Sequence, residues 1–431
     1  MSRSRSLMAV LALASGLAVV PAMSASAATT HWVSANENNP VSPGKNCGKA
    51  GYTSIQDAVD AAASGDTVMV CAGEYDEQVV IDGKDITLQG SGDGAIIRPS
   101  SPAVLTSFYA YPGGCFWAGS TISPVVFVED SSATSVLDLR IDGINLTTPG
   151  PGAARLSGVL FAESGGEISN LTINDIKTAN YASRTYVIDV SACDVPARAV
   201  DVIGNTVTDF SRAAIQVQGD DLTATVNENK ITGPGTIGPA NVPNGIVFIG
   251  DATGIADSNF LTKMHHTGSP SLSAGLLAFA ADDPAGIKFS NNEAHDVDDG
   301  VILASSSKEV IVEGNYLHKN KKGVQIESGA DLNMVLNNRI HQNSIVGIQV
   351  NGPLAGGSPS GAFNEAHCNS IWGNTDGVIN FNATFEFEAE TNWWGHPTGP
   401  SGVGTGKGDT VSAMVDYDPW LTNPPNSGDC S

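Results

Sequence analysis

Hydrophobic residues in this chain fall in short alternating runs, broken every few positions by Asn, Asp, Gly or Pro. Runs such as Thr67 to Cys71, Gln78 to Ile81 and Ile86 to Gly90 put every second side chain on one face. That is the period of a strand, not of a helix. From mid-chain onward the breaks are themselves periodic. An Asn followed two residues later by a small or apolar residue returns at Asn174, Asn205, Asn229, Asn259, Asn292, Asn315, Asn338, Asn369 and Asn392, with Asp142 read as an earlier member. The spacings are 31, 24, 30, 33, 23, 23, 31 and 23, so a unit near 23 residues recurs and the longer ones read as that unit plus an insertion. A second series interleaves: Gly245, Gly275, Gly300, Gly323, Gly347 and Gly377 each open an alternating run. In the uninterrupted units this Gly follows the Asn by eight or nine residues.

These units have room for two or three short strands and none for a crossover helix, which excludes βαβ architecture. Asn and Gly both tolerate left-handed backbone, so both read as corner residues. Coils stacked on one another set the Asn amides in a ladder. The reading is an all-β fold, a single parallel β-helix solenoid of about ten or eleven coils. An antiparallel sandwich explains neither the Asn period nor its fixed offset to Gly. Thr53-Ser-Ile-Gln56 reads as a capping box opening a helix through Ala63, an N-terminal helical cap over the open end. The expected segments are 1–27, an export signal; 28–100, cap and first coils; 101–391, coils with loop insertions; and 392–431, a closing segment.

The stretch YTSIQDAVDAAASGDTVMVCAGEYDEQVVIDGKDITLQG (52–90) resembles the opening segment of right-handed parallel β-helix proteins of the pectate-lyase-like superfamily. Pectin methylesterases, pectate-lyase-like enzymes and the copper-site accessory proteins of nitrous oxide reductase share it. NWWGHPTGPSG (392–402) resembles the closing segment of many exported bacterial β-helix proteins. The resemblance implies a right-handed helix over nearly the whole chain. It does not single out a chemistry, because that superfamily holds lyases, hydrolases, esterases, epimerases and non-catalytic surface proteins.

Composition narrows the partners. The formal net charge is −24, with 45 acidic and 21 basic residues, which opposes binding to nucleic acid or anionic lipid. Arg3 and Arg5, the apolar run Leu7 to Val20 and the small residues Ala25-Ser26-Ala27 form a signal peptide pattern, so a secreted, extracellular and monomeric protein is expected, free of the membrane once cleaved. Cys47, Cys71, Cys115, Cys193, Cys368 and Cys430 make an even set, as in disulfide-bonded exported chains. Pairing Cys47 with Cys71 would staple the N-terminal segment, and Cys368 with Cys430 would pin the tail. The connectivity stays open among fifteen pairings.

Residues in equal register in successive coils are neighbours about 4.8 Å apart. Asn292, Asn315 and Asn338 then align His295, His318 and His341 in one outward column. They also set Asp296 over Lys319, Asp298 over Lys321 and Asp299 over Lys322. Three readings follow: ion pairs on a solvated edge, an acid–base cluster at a groove, or a divalent metal held by the His column and Asp296. Outward positions of the Gly-initiated strands are apolar in three coils, and the insertions Gly233 to Asn241 and His265 to Ala274 are expected to cover that face or wall a ligand groove. The candidate catalytic residues are the acidic doublets Asp298-Asp299 and Asp282-Asp283, with Lys263 and His265 as a lyase pair. Trp117, Tyr109, Phe279, His295 and His318 are candidates for substrate contact, since aromatic faces stack on sugars. No cofactor motif is present; calcium is the one ion the reading leaves open, as a bridge between an acidic surface and an acidic glycan. The expected partner is a polysaccharide or cell-surface glycan, a neutral one suiting this charge better. The function read is cleavage of an extracellular polysaccharide, of glycoside hydrolase or polysaccharide lyase type. The alternative is a non-catalytic carbohydrate-binding or adhesion protein.

Overall fold

The computed structural model describes residues 27–425, apart from 93, 180–182, 194, 221, 240, 269–272, 282–285, 328 and 352–362. The export signal, except Ala27, and Cys430 therefore lie outside the described residues, as does the doublet Asp282-Asp283.

Three parallel sheets run the length of the chain. Sheet I has fourteen strands, from Thr30–Val33 to Val415–Asp416. Sheet II has eleven, from Gly73–Tyr75 to Ser370–Trp372. Sheet III begins at Val79–Asp82 and carries one antiparallel addition, Tyr109–Ala110 against Thr121–Glu129. Each full coil gives one strand to each sheet in turn. Thus Phe260–His266, Ala274–Phe279 and Ile287–Ser290 pair in parallel with Glu293–Val297, Asp299–Ala304 and Ile311–Glu313 of the next coil. The molecule is a single parallel β-helix. Sheet I exceeds the expected coil number because its first strands carry no Asn signature. The interior is a continuous apolar column; Val226, Ala256, Phe289, Val312 and Val335 are fully buried on sheet I alone.

The Asn ladder exists, with a shifted start. The Nδ2 of Asn205 donates to Oδ1 of Asn229 at 2.9 Å, and equivalent bonds link Asn259, Asn292, Asn315, Asn338, Asn369 and Asn392 in order. Asn174 and Asp142 are not members. Asn174 pairs with Thr208, three residues past the ladder position, and Asp142 pairs with Asn174. The left-handed residue is the one before each Asn: Glu228 (φ 57°), Ser258 (56°), Asn291 (53°), Asn337 (57°) and Thr391 (55°) among them. The Gly series has a different cause as well. These glycines are not left-handed; a Cβ on Gly245, Gly323 or Gly347 would lie 2.4–2.6 Å from the carbonyl oxygen of the next coil's Gly. Close backbone approach, not backbone sign, requires them. Sequence reading missed two further ladders, Asn320–Asn343–Asn374 and Asn333–Asn364.

A helix spans Ile55–Ala61 and lays Ile55, Ala58 and Val59 against the first coils. Its N-cap is Ser54, not Thr53: the hydroxyl accepts from the Asp57 N–H at 3.3 Å. The partner in place of a capping-box Gln is Glu77, whose carboxylate accepts from the Ile55 and Gln56 N–H groups at 2.9 Å. Cys47 pairs with Cys71, as expected, and Cys115 with Cys193. No helix among the described residues is long and apolar enough to cross a membrane.

Candidate functional site

The residue before each glycine of the Gly series, with its counterparts in the two preceding coils, forms a column on the outer side of sheet III. Tyr186, Ala213, Asn244, Ala274, Asp299 and Lys322 lie in register across six coils. Tyr186, Ala213 and Ala274 there join Val247, Ile249, Leu277, Ile302 and Ala304 in an apolar cluster separate from the interior. The insertions expected to cover this face begin as extensions of sheet II, where Gly235, Thr236 and Ile237 pair with Met264, His265 and His266; 240 and 269–272 lie outside the described residues. The cover comes from the aromatic segment between Ser101 and Pro124, tied down by the Cys115–Cys193 disulfide. Tyr109 and Tyr111 are buried within it; their hydroxyls donate to Glu163 and Asp189. Trp117 and Phe279 instead line a concave pocket of about 330 Å³, with Phe116, Arg184, Arg212 and Asn244 on its walls.

Further along the same face the chain gathers acids and bases. Asp298 is fully buried at the corner between sheets II and III. Its Oδ1 meets His265 Nδ1 at 3.1 Å and accepts from Lys321 Nζ at 2.7 Å, and its Oδ2 accepts from the His266 N–H at 3.0 Å. The other imidazole nitrogen of His265 lies 3.1 Å from Asp296 Oδ1. The bond to Asp298, followed by that to Asp296, raises the His265 pKa above its ordinary value. His265 and Lys321 keep 25% and 45% of their side-chain surface exposed, so a buried carboxylate presents an imidazole and an ammonium to solvent. Asp299 is 1% exposed, and its Oδ1 has no hydrogen-bond partner among the described residues. Lys322 lies 3.5 Å away and reaches Gln325, which in turn donates to Glu327. Burial pushes the Asp299 carboxyl up to about 7. The solvated-edge reading of these columns fails for Asp298 and Asp299, because both are sealed from water. The expected pair Asp296–Lys319 is replaced by Asp296–His265.

The remaining candidates lie elsewhere. Lys263 is exposed, with left-handed backbone (φ 61°), and no contact ties it to this cluster among the described residues. His295 and His318 sit on the outer face of sheet II. With His341 they form a stack, centroids 5.2 and 5.3 Å apart, closed by Trp372 at 4.2 Å. Rings stacked in this way do not converge on an ion. Burial pushes His341 down to about 4 and lowers His295. Among the described residues, the set of metal-type ligands that does converge is Glu365, His367 and Glu388 on sheet I. An open trough of about 890 Å³ also runs between sheets I and II, where Lys288 and Glu313 pair across coils at 2.6 Å.

Sequence reading missed the arginines at the pocket and the buried Asp189. The column itself could have been read in part from the glycine series, since Asn244, Ala274, Asp299 and Lys322 each directly precede one of its members. Arg184 and Arg212 belong to coils without that glycine, and only the fold aligns them.

A family profile described as right-handed β-helix region matches residues 157–393. No curated protein matches the chain. Among solved structures, the chain is similar to the A-module of the mannuronan C-5 epimerase AlgE6 of Azotobacter vinelandii, at 15% identity and TM-score 0.55, covering 86% of this chain and 95% of that one. The AlgE4 A-module of the same organism follows at 16% identity, TM-score 0.47 and coverages of 87% and 95%. A lacto-N-biosidase from Eubacterium ramulus shows 12% identity and TM-score 0.48, over 91% of this chain and 67% of that one. Likeness at such identities speaks to the fold alone. The profile spans more than half of the chain, over coils whose parallel pairing and Asn ladder agree with it, and the chain belongs to the right-handed β-helix family.

Proposed function

We propose that this protein is an extracellular enzyme that cleaves a polysaccharide by acid–base chemistry at His265. The observation that carries the reading is the half-buried His265 and the exposed Lys321 held on one buried carboxylate, Asp298. A charge buried at this depth is costly unless paired, so a fold that needed only solubility would gain nothing from it. A buried acid that shifts the pKa of an accessible neighbour is a candidate functional group. In this reading His265 protonates the leaving glycosidic oxygen or, in elimination, takes the proton from the ring carbon beside a carboxylate as the carbon–oxygen bond breaks, a double bond forms and solvent protonates the leaving oxygen; Asp298 is its positioning residue, and Lys321 offers a cation to developing negative charge. Asp299 is sealed under Lys322, and Asp298 is already engaged by three donors. Two accessible carboxylates flanking a bond, as glycoside hydrolysis uses, are therefore not supplied by this doublet. That tilts the choice between hydrolase and lyase towards elimination. The two disulfides and the apolar N-terminal segment support action outside the cell.

The test is a depolymerisation screen of the purified chain on neutral and uronic glycans, with calcium and with chelator, reading reducing ends and unsaturated-product absorbance. Product is expected from the wild type, and a loss of roughly 10²–10⁴ in kcat for H265Q. D298N is expected to lower the pKa seen in the pH profile of kcat/KM, because the bond that raises it is gone. Full activity of H265Q would take the chemistry away from His265, and silence of the folded wild type across the panel would move the protein to the non-catalytic binders.

A further inference from the structure

Three arginines meet at the aromatic pocket on sheet III, in a chain with more than twice as many acids as bases. Arg155 is buried, donates to the Tyr186 hydroxyl at 2.8 Å, and lies 4.3 Å from the centre of the Trp117 ring. Arg184 is exposed and approaches the same ring at 5.3 Å. Arg212 lines the pocket and donates to the Val242 carbonyl at 3.2 Å. Among the described residues none of the three has a carboxylate within ion-pair distance. The one acid beneath them, Asp189, is fully buried and engaged by the Tyr111 hydroxyl and by Gln216 Nε2 at 3.1 Å. Burial, with the positive charge of Arg184 and Arg155, lowers the Arg212 pKa. The pocket thus holds cations that are partly desolvated and mutually repelling, which a bound anion would relieve.

The rest of the pocket describes the ligand that carries the anion. Trp117 and Phe279 offer ring faces, and Val247 and Leu277 an apolar floor. Asn244 spends its oxygen on the Ala274 N–H at 2.8 Å, while its amide reaches the Val242 carbonyl only at 3.5 Å, which leaves a donor for a hydroxyl. A volume of about 330 Å³ is at the low end for small-molecule sites, enough for one or two sugar rings. A ring with an apolar face, hydroxyls and one planar anion matches all three features, and planar carboxylates suit the arginine fork. The column register puts Asn244 two coils from Asp299, roughly 10 Å along the helix.

We propose that this pocket is a subsite for one carboxylate-bearing sugar residue, its carboxylate held by Arg184 and Arg212 and its apolar face stacked on Trp117. The inference rests on the glycan reading above. It also replaces the expectation of a neutral glycan. Charges of the acidic surface beyond about 8 Å are screened at physiological salt, whereas the arginines act in contact.

Isothermal titration would compare glucuronate and galacturonate with glucose and galactose, and with a sugar sulfate as the other anionic source. The uronates are expected to bind at least tenfold more tightly than their neutral counterparts. R184Q and R212Q should each remove tenfold or more of that preference while leaving neutral sugars unaffected. Arg184 is exposed, so R184Q is expected to unfold at the wild-type midpoint. Equal binding of acid and neutral sugars, a preference unmoved by both variants, or a preference for sulfate alone would each overturn the assignment. Arginine-dependent uronate binding without any turnover would sink the cleavage proposal and leave this one; turnover without an arginine-dependent acid preference would do the reverse.

Discussion

A ladder Asn inside the series makes several bonds with one amide, and Asn315 shows them. Its Oδ1 accepts from the N–H and the Nδ2 of Asn292 at 2.9 Å; its Nδ2 donates to Asn338 Oδ1 at 3.0 Å and to the Phe289 carbonyl at 2.8 Å. The side chain is fully buried. Removing it strands donors and acceptors in two neighbouring coils, and each buried orphan costs about 1–3 kcal/mol. Asn315→Ala is therefore expected to destabilise the chain by roughly 2–4 kcal/mol in denaturant titration. Asn315→Ala with Asn338→Ala should cost less than the two singles together, because they share a bond. A loss below about 0.5 kcal/mol for the single variant, in the range of ordinary surface changes, would mean that water replaces the amide. The glycines act by absence in the same way: a Cβ on Gly323 would meet Ile340 Cγ2 at 2.4 Å and the Gly347 oxygen at 2.5 Å.

At the scale of strands and columns, legibility followed chain regularity. The coils from Asn292 to Asn338 have equal length, so their columns were readable, and His295, His318 and His341 do stack. Asn174 was misplaced because the link from the coil before Asn205 carries no ladder Asn; Leu171 stands there, its N–H donating to Asn205 Oδ1 at 3.0 Å. The pocket was illegible for a different reason. Its Trp117 comes from a segment 99 residues before its partner Gln216, and no local pattern encodes such a contact. The His column gives a prediction of its own. His341 is neutral until about pH 4, held there by burial and by the charge of His318, whereas an unfolded His takes its proton near 6.5. Between these values the unfolded chain binds more protons, so stability falls as pH drops from about 6.5 to 4. His341→Phe keeps the stack on Trp372 and removes the titration. The variant is expected to lose about 1–3 kcal/mol less than the wild type over that window, read from denaturant midpoints at pH 7 and pH 4.5. Parallel pH dependence of the two proteins would sink the assignment of the effect to His341.

For the whole molecule, the balance of charge decides how the solenoid responds to its medium. With 45 acids against 21 bases, more than half of the carboxylates have no Lys or Arg of their own, however the coils are arranged. A solenoid spreads these acids along its length, and like charges in neighbouring coils lie well within one screening length at low salt. Among the described residues, pairs such as Lys288–Glu313 and Arg98–Glu74 keep a quarter or more of each side chain in solvent, and solvent-accessible pairs contribute at most about 1 kcal/mol each. The buried contacts of Asp298 are screened little by salt. Repulsion between carboxylates therefore outweighs surface attraction, and added salt should stabilise the fold. Raising sodium chloride from about 10 mM to about 200 mM takes the screening length from roughly 30 Å to below 10 Å, and is expected to lift the thermal midpoint by roughly 1–3 °C. Potassium chloride should act alike, since the effect is screening and not site binding. A midpoint that falls with salt would show that the ion pairs between coils, and not the surplus acids, dominate the electrostatics of the helix.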